Sequence, residues 1–231
     1  MRQTLYIFSS LVFILFLASC SGPSFNTVNN MRNINGTVYM KDGTERNGQL
    51  TSTLASTFSS NSYIQFTENN KSKQKIQVAD IKAVRVRNDY YEPKLIDQGF
   101  GSKDQMLFVK RITKDGSKIQ LYELHEQQNR SNNSYSRYGS NNYSQLVDEY
   151  SYYVTLPNQD PYQAWNVEGK HFTPNFENKM SEYVKDCAEL AEKIKRKDKG
   201  YFYAKISLVS EKRIETLMNI IDEYNRCKSE K

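Results

Sequence analysis

The residues best suited to nucleophilic, redox or metal chemistry are few in this chain: three cysteines and two histidines among 231 residues. None of the motifs G-x-S-x-G, H-E-x-x-H and C-x-x-C occurs, and there is no P-loop. His125 closes a predicted strand, and His171 lies in a Gly-Lys-His-Phe turn. Neither has clustered carboxylates beside it, so structural or solvated roles are expected. The sequence therefore assigns no catalytic residue, no metal and no cofactor.

Cys20 follows an apolar N-terminal segment, and this position suggests a covalent modification of its thiol. Arg2 is followed by an apolar run from Leu5 to Ala18. This run is shorter than the roughly 20 residues that a membrane-spanning helix needs, but it matches the hydrophobic region of a signal peptide. It ends in Leu-Ala-Ser-Cys-Ser-Gly, which resembles the lipobox of bacterial lipoproteins. The resemblance implies a signal peptide at 1–19 and acylation of Cys20, with palmitate as a typical acyl chain. An ordinary cleaved signal or an uncleaved anchor with a coincidental cysteine is the alternative.

Export limits the partners that the mature chain can meet. The formal charge of +6, the pI of about 9.0 and the mean hydropathy of −0.76 describe a soluble, mildly basic chain. Basic chains often bind nucleic acid, but an exported protein meets none, so that function is excluded. Residues 20–33 lack periodicity and are rich in Ser and Asn, which predicts a flexible tether. No acidic residue occurs between Cys20 and Asp42, and the resemblance to Bacteroidota lipoproteins then implies a lipid anchor in the outer membrane, on its periplasm-facing side.

Residues 34–170 carry a β pattern. Asp42-Gly43 and Asp115-Gly116 are strong hairpin signals, because both central residues of such a turn need positive φ. Apolar runs with strand periodicity predict further strands, at Ile64–Phe66, Ile76–Val78, Ile81–Val86 and Tyr150–Leu156. We expect an antiparallel sandwich or open barrel of about eight or nine short strands.

One segment within this region, residues 127–145, is of low complexity and rich in Asn, Ser, Gln and Tyr. Such a composition cannot bury a core. We expect a mobile insertion between a strand that ends near Leu124 and one that starts near Glu149. It should be dispensable for folding.

In residues 171–231 the apolar period changes to that of a helix. One stripe runs from Phe176 to Ile194 and a second from Ile214 to Tyr224, with Ser210 as the N-cap of the second helix. The pattern predicts a C-terminal helical hairpin, with residues 201–209 between its helices as either a strand or an extended connection. The basic run from Lys193 to Lys199 suits a helix C-terminus, and contact with anionic lipid headgroups is the alternative.

Cys187 and Cys227 are the two cysteines that lipidation leaves over. In an oxidising compartment an even pair of this kind predicts a disulfide. Cys187 lies on the apolar stripe of its helix, and Cys227 follows Tyr224 by about one helical turn. Both cysteines can therefore face the interface between the two helices. Two buried reduced thiols are the alternative.

The chain also resembles a group of uncharacterised exported proteins and lipoproteins of the Bacteroidota. The resemblance is carried by a G-x-V…DG…G β-motif, an L-Y-E strand, a Tyr-rich strand and a helical tail with the pattern DC-x-x-L-x-x-K-I…YN-x-C. The matching residues are Gly36, Val38, Asp42, Gly43, Gly48, Leu121, Tyr122, Glu123, Tyr152, Tyr153, Asp186, Cys187, Leu190, Lys193, Ile194, Tyr224, Asn225 and Cys227. The resemblance implies an exported location and a β-rich fold with a helical tail, but it gives no catalytic residues.

These observations predict an α+β protein with a membrane-anchored, non-catalytic binding or scaffolding role in the cell envelope. Its expected partners are the membrane, through the N-terminal lipid, and a protein of the envelope. Seventeen tyrosines and Trp165 leave a glycan- or peptide-binding module open as an alternative. A less favoured alternative is an envelope hydrolase without a recognisable motif.

Overall fold

A computed structural model of the chain describes residues 27–54, 62–68, 71–96, 104–136, 139–157, 159–169, 171–203 and 210–229. Side chains are described for these residues except 131–136, 139–144, 210 and 211. The predicted signal peptide, Cys20 and the tether up to residue 26 lie outside this part of the chain, as do residues 204–209.

The described residues form an α+β fold, as the sequence predicts. Ten strands come first, with one short 3₁₀ helix (Val78–Asp80) among them, and three α-helices follow. The strands are β1 (Asn30–Met40), β2 (Glu45–Thr53), β3 (Tyr63–Glu68), β4 (Gln74–Gln77), β5 (Ile81–Val86), β6 (Asp89–Ile96), β7 (Gln105–Arg111), β8 (Gln120–Ser136), β9 (Gly139–Thr155) and β10 (Gln163–Asn166). The helices are α1 (Phe176–Tyr183), α2 (Ala188–Lys195) and α3 (Ser210–Ser229). The described strands thus exceed the eight or nine expected, because β6 and β10 were not predicted.

All ten strands belong to one sheet with the order β10-β9-β8-β7-β6-β5-β1-β2-β3-β4. Strand β6 has three neighbours: its first half pairs with β5, its second half pairs in parallel with β10, and β7 lies along its other side. The pairings from β6 through β7, β8, β9 and β10 therefore return to β6 and close a circuit. Strands β5, β1, β2, β3 and β4 extend this closed circuit as an open arm.

Both Asp-Gly turns are present. Gly43 and Gly116 have φ values of 89° and 80°, which a side chain would strain. Asp42 Oδ1 accepts hydrogen bonds from the Thr44 backbone N–H at 2.8 Å and from the Thr44 hydroxyl at 2.7 Å. The first turn joins β1 to β2, and the second joins β7 to β8, as the Asp-Gly dipeptides predict.

The tether prediction for residues 20–33 is wrong at its C-terminal end. Thr27 bridges to Asn30, where β1 begins, and Val28, Asn29 and Met31 are buried. The Asn29 amide donates to the Phe108 carbonyl at 2.8 Å, and its oxygen accepts from the Phe108 N–H at 2.8 Å. Asn29, which lies in a segment predicted to be a tether, therefore pairs with both the N–H and the C=O of Phe108 in β7.

We expect Asn29→Ala to lower the free energy of unfolding by about 2–3 kcal/mol, since both backbone groups of buried Phe108 would lose their partner. Chemical denaturation of the purified protein measures this loss. The exposed Asn88→Ala substitution is the matched control and should change the free energy by less than about 0.5 kcal/mol. Equal stability of the two variants would contradict the role given to Asn29.

The low-complexity segment is not an irregular insertion. Strands β8 and β9 continue through it in unbroken register from Gln120↔Thr155 to Ser136↔Gly139. Strand β7 pairs with β8 at Tyr122 and Glu123, and strand β10 pairs with β9 at Tyr153 and Val154. Beyond these residues the two strands pair with each other in a ribbon about 40 Å long. Alternating polar residues suit such a ribbon, whose faces need no core.

Because the ribbon forms its own pairs, shortening it should leave the rest of the fold intact. We expect replacement of residues 128–147 by Asn-Gly, which places a hairpin turn next to the Gln127↔Asp148 pair, to change the free energy of unfolding by less than about 1 kcal/mol. Replacing residues 128–146 instead shifts the register by one residue and should be more destabilising. A loss above about 2 kcal/mol in the register-preserving variant would show that the ribbon packs against the domain.

The β8–β9 pair separates two cores. On one face Tyr122, Leu124 and Tyr153 join the core enclosed by the strands. On the other face Leu121 and Val154 join a second core built by the helices. The C-terminal residues of that second core come from the three helices and from the break between α1 and α2; they are Phe176, Met180, Val184, Cys187, Leu190, Ile194, Leu217, Ile220, Ile221 and Tyr224. Strand alternation thus places consecutive residues in two different cores.

The predicted helical hairpin is corrected in one respect: its first helix is two short helices. α1 ends at Tyr183, α2 starts at Ala188, and Cys187 has φ −118° and ψ 80°, outside the helical region. Val184 and Cys187 stay buried across the break, so the apolar stripe survives. Asp186 in the break accepts a hydrogen bond from the Tyr224 hydroxyl at 3.2 Å. The break is held by this contact with α3, which a periodicity pattern does not reveal.

The predicted disulfide is present between Cys187 and Cys227, with a Cα–Cα distance of 6.2 Å. It joins the break between α1 and α2 to the last turn of α3. Residues 201–203 are not in a strand, and the rest of the undecided segment 201–209 lies outside the described residues. Among the described residues, no helix is both long and apolar enough to cross a membrane.

Candidate functional site: a basic groove

A pocket of about 380 Å³ lies where the open arm meets the closed circuit of strands. Tyr90, Glu92 and Lys94 alternate along β6, so they share one face of the sheet. The other lining residues come from β5, β6, β7 and three connections, those between β1 and β2, β7 and β8, and β9 and β10; they are Lys41, Lys82, Pro93, Arg111, Asp115, Pro161 and Tyr162. Four cationic and two acidic side chains thus line the pocket, and the cations are in excess.

Lys94 lies at the inner end of this pocket and is only 8% exposed. Its Nζ donates to the Pro161 carbonyl at 3.0 Å and lies 3.3 Å from Glu92 Oε2. It also lies 4.9 Å from the centre of the Tyr122 ring, a cation–π distance. A buried ammonium group is tolerable only with such partners, so Lys94 is held in place by its surroundings.

Glu92 connects the charges of the pocket. Its Oε1 lies 3.0 Å from Arg111 Nη1, and its Oε2 accepts from the Tyr122 hydroxyl at 3.0 Å. Arg111 also pairs with Asp115 at 2.8 Å. Burial, and then the charge of Glu92, raise the pKa of Tyr122 well above its usual value. The tyrosine therefore stays a hydrogen-bond donor to the carboxylate at any physiological pH.

Lys41 and Lys82 lie at the outer rim of the pocket. Tyr39 pairs with Ala83 and Met40 with Ile81, so Lys82 is an extra residue of β5, a β-bulge. Lys41 Nζ lies 4.1 Å from the centre of the Tyr162 ring. Among the described residues, no carboxylate lies within salt-bridge distance of either lysine. Both ammonium groups are exposed and available to a ligand.

A second, more open depression of about 680 Å³ adjoins the first. On its floor the Thr37 hydroxyl donates to Asn47 Oδ1 at 2.7 Å and lies 3.5 Å from Arg85 Nη2. Arg85 of β5 is the cross-strand partner of Tyr90 of β6, which places the two depressions side by side on one sheet face. We call the two together the basic groove. Its second half is lined by Asn35, Gly36, Thr37, Asn47, Gly48, Arg85, Arg87 and Asn88.

The residues that the sequence singled out lie elsewhere. His125 Nε2 lies 2.8 Å from Asp148 and its ring stacks on Tyr150 at 4.6 Å, both within the ribbon. His171 contacts Trp165, whose indole N–H donates to Gln159 at 2.8 Å. These pairs lie outside the lining of the groove, as does the disulfide.

The basic run from Lys193 to Lys199, at the C-terminal end of α2, is largely engaged within the protein. Lys193 lies 2.9 Å from Glu223 and 3.0 Å from Glu189, Arg196 pairs with Asp198, and Lys197 lies 2.9 Å from Glu177. These contacts favour the structural interpretation of the run over a lipid-headgroup site.

Sequence reasoning reached the lining of the groove only through the count of tyrosines, which includes Tyr90 and Tyr162, and through the motif and turn residues Gly36, Gly48 and Asp115. The available signal was Glu92-Pro93-Lys94, in which a carboxylate and an amine are two residues apart and so share a strand face. Among the described residues, no group of three or more His, Cys, Asp or Glu side chains is placed to hold a metal ion.

Comparisons of the chain with protein-family models, with curated proteins and with solved structures found no match. The candidate site therefore rests on its own geometry and charge.

Proposed function

We propose that this chain is an exported lipoprotein of the bacterial cell envelope, related to the Bacteroidota group that it resembles. Lipid on Cys20 holds it to the outer membrane on the periplasm-facing side. Its role there is non-catalytic binding, with the basic groove as the contact surface.

The observation that carries the proposal is the Cys187–Cys227 disulfide. Disulfides persist in oxidising compartments and are rare in the cytosol. A disulfide that links the helices is therefore what an exported chain would have. This supports the interpretation of residues 1–20 as a signal peptide followed by a lipidated cysteine.

The groove supports binding as the role of the exported domain. Its two halves lie side by side and are lined with hydrogen-bonding and cationic side chains, most of them on strands. Concave sites with convergent polar groups are the usual places where proteins bind ligands. Glu92, Lys94, Arg111 and Tyr122 already satisfy one another, so they provide a fixed wall and leave the rim cations to meet a ligand.

Replacing Cys20 by Ser in the full-length protein tests the anchor. In a bacterial host with lipoprotein processing, the wild-type chain should incorporate a labelled palmitate analogue and sediment with membranes. The variant should incorporate none, because a hydroxyl cannot form the thioether link to lipid. It should then accumulate as precursor or appear in the soluble fraction.

The matched control is Ser24→Ala, a substitution of similar size just after the lipobox. It should be labelled and fractionate like the wild type. If Cys20→Ser is labelled, processed and sedimented like this control, the lipoprotein proposal is wrong.

A further inference from the structure

We propose that the basic groove binds an acidic oligosaccharide, a glycan that carries carboxylate groups. The inference rests on the proposed binding role and names its ligand class. The charge, the hydrogen-bonding groups and the aromatic rings of the groove each bear on this choice.

The charge selects for an anion. Lys41, Lys82, Arg85 and Arg87 line the groove, and no carboxylate of the described chain lies within salt-bridge distance of any of them. The two carboxylates of the lining, Glu92 and Asp115, are both engaged by Arg111. A cleft lined by one sign of charge raises the local concentration of ligands of the opposite sign. These four cations lie in both halves of the groove, so a ligand with several spaced charges fits better than a single small anion.

The uncharged polar side chains of the groove favour a ligand that carries hydroxyl groups. Asn35, Asn47 and Asn88 line the open half beside Thr37. An amide side chain both donates and accepts, as a sugar hydroxyl does. Arg85 and Arg87 add planar forks that match carboxylates in two-point contacts. Amides and guanidinium groups in one depression suit a ligand that has hydroxyls and carboxylates on the same ring.

The aromatic rings provide flat surfaces for such rings. Tyr90 lines the pocket and lies 5.6 Å from Tyr39, centre to centre, and exposed Tyr162 lines the same pocket beside Lys41. Tyrosine offers an apolar face and a polar tip, which suits the C–H face and the hydroxyl edge of a pyranose. A peptide anchored by its apolar side chains would need apolar pockets, and the lining offers only Pro93 and Pro161 as fully apolar side chains.

Titration of the full chain, purified in detergent, tests the proposal. The probe is a fluorescent tetrasaccharide of galacturonic acid, compared with its fully methyl-esterified form and with tetraglutamate. We expect the acid to bind at least ten-fold more tightly than the ester at low salt, with affinity that falls as ionic strength rises. The variant Lys41→Gln/Lys82→Gln should weaken this binding at least ten-fold, and Tyr90→Ser at least three-fold.

The matched control is Lys195→Gln/Lys212→Gln, which removes the same charge from exposed positions on α2 and α3. It should bind the acid within two-fold of the wild type. The proposal is overturned if the acid does not bind at millimolar concentration, if the ester or tetraglutamate binds as well as the acid, or if the two lysine pairs behave alike. Binding in detergent does not depend on the lipid, so failure here and failure of the Cys20 experiment are distinguishable.

Discussion

Removal of the disulfide by the double substitution Cys187→Ala/Cys227→Ala is expected to lower the free energy of unfolding by about 4 kcal/mol. The bond joins residues 40 positions apart, and closing a loop of this length restricts the unfolded chain by about that amount. It also fixes α3 to the break between α1 and α2, where Tyr224 bonds Asp186. Chemical denaturation under non-reducing conditions measures the loss.

Reduction supplies the control for this prediction. A reductant should destabilise the wild-type protein by a similar amount and leave the double variant unchanged. If the variant loses less than about 1 kcal/mol, non-covalent contacts alone hold α3 to the break between α1 and α2.

The second large effect is expected from Glu92→Leu, which should cost about 3–5 kcal/mol. The substitution would leave Lys94, at 8% exposure, without its carboxylate partner. An uncompensated buried charge is strongly destabilising. The Tyr122 hydroxyl would lose its acceptor as well.

A double variant separates lost charge pairing from lost packing. Glu92→Leu/Lys94→Met removes both charges and keeps the side-chain volumes similar, so most of the stability should return. The free energies of unfolding of the two single variants and the double variant complete the cycle. A double variant as unstable as Glu92→Leu would mean that the pair contributes through shape and not through charge.

Local signals predicted much of the fold. Asp42-Gly43 and Asp115-Gly116 fixed two hairpins through backbone conformation, and the apolar stripes fixed the helical region. The disulfide followed from counting cysteines. Each of these signals lies within a few residues of the feature that it predicts, or depends on composition alone.

Strand β6 shows why the site was not predicted. Pro93 lacks an N–H and is disfavoured in strand interiors, and Glu92 and Lys94 interrupt the apolar pattern on either side of it. The strand nevertheless has neighbours on both sides and pairs with β10 through only two residue pairs. Its charges are tolerated because Arg111, Tyr122 and the Pro161 carbonyl reach them from distant parts of the chain. Contacts between residues so far apart in the chain do not show in the hydrophobic periodicity of the sequence.

The rim of the groove was hidden for a different reason. A bulge in β5 makes Lys82 the unpaired extra residue of its strand, and the register of β5 with β6 places Arg85 beside Tyr90. Strand alternation alone would put Lys82 and Arg85 on opposite faces. The groove therefore depends on one inserted residue and on sheet register, which pattern reasoning does not determine.

The described fold extends back to Thr27, and this position limits how far the domain could lie from a lipid on Cys20. Seven peptide units separate Cys20 from Thr27, and an extended chain spans at most about 3.6 Å per residue, so a lipid on Cys20 would keep Thr27 within about 25 Å of its membrane. A tether to residue 33 would have allowed roughly twice that distance. The hydrogen bonds between Asn29 and β7 thus shorten the tether that would link the lipid to the domain. A protein held in this way would meet ligands that come to the membrane surface, and it would not bridge the periplasm.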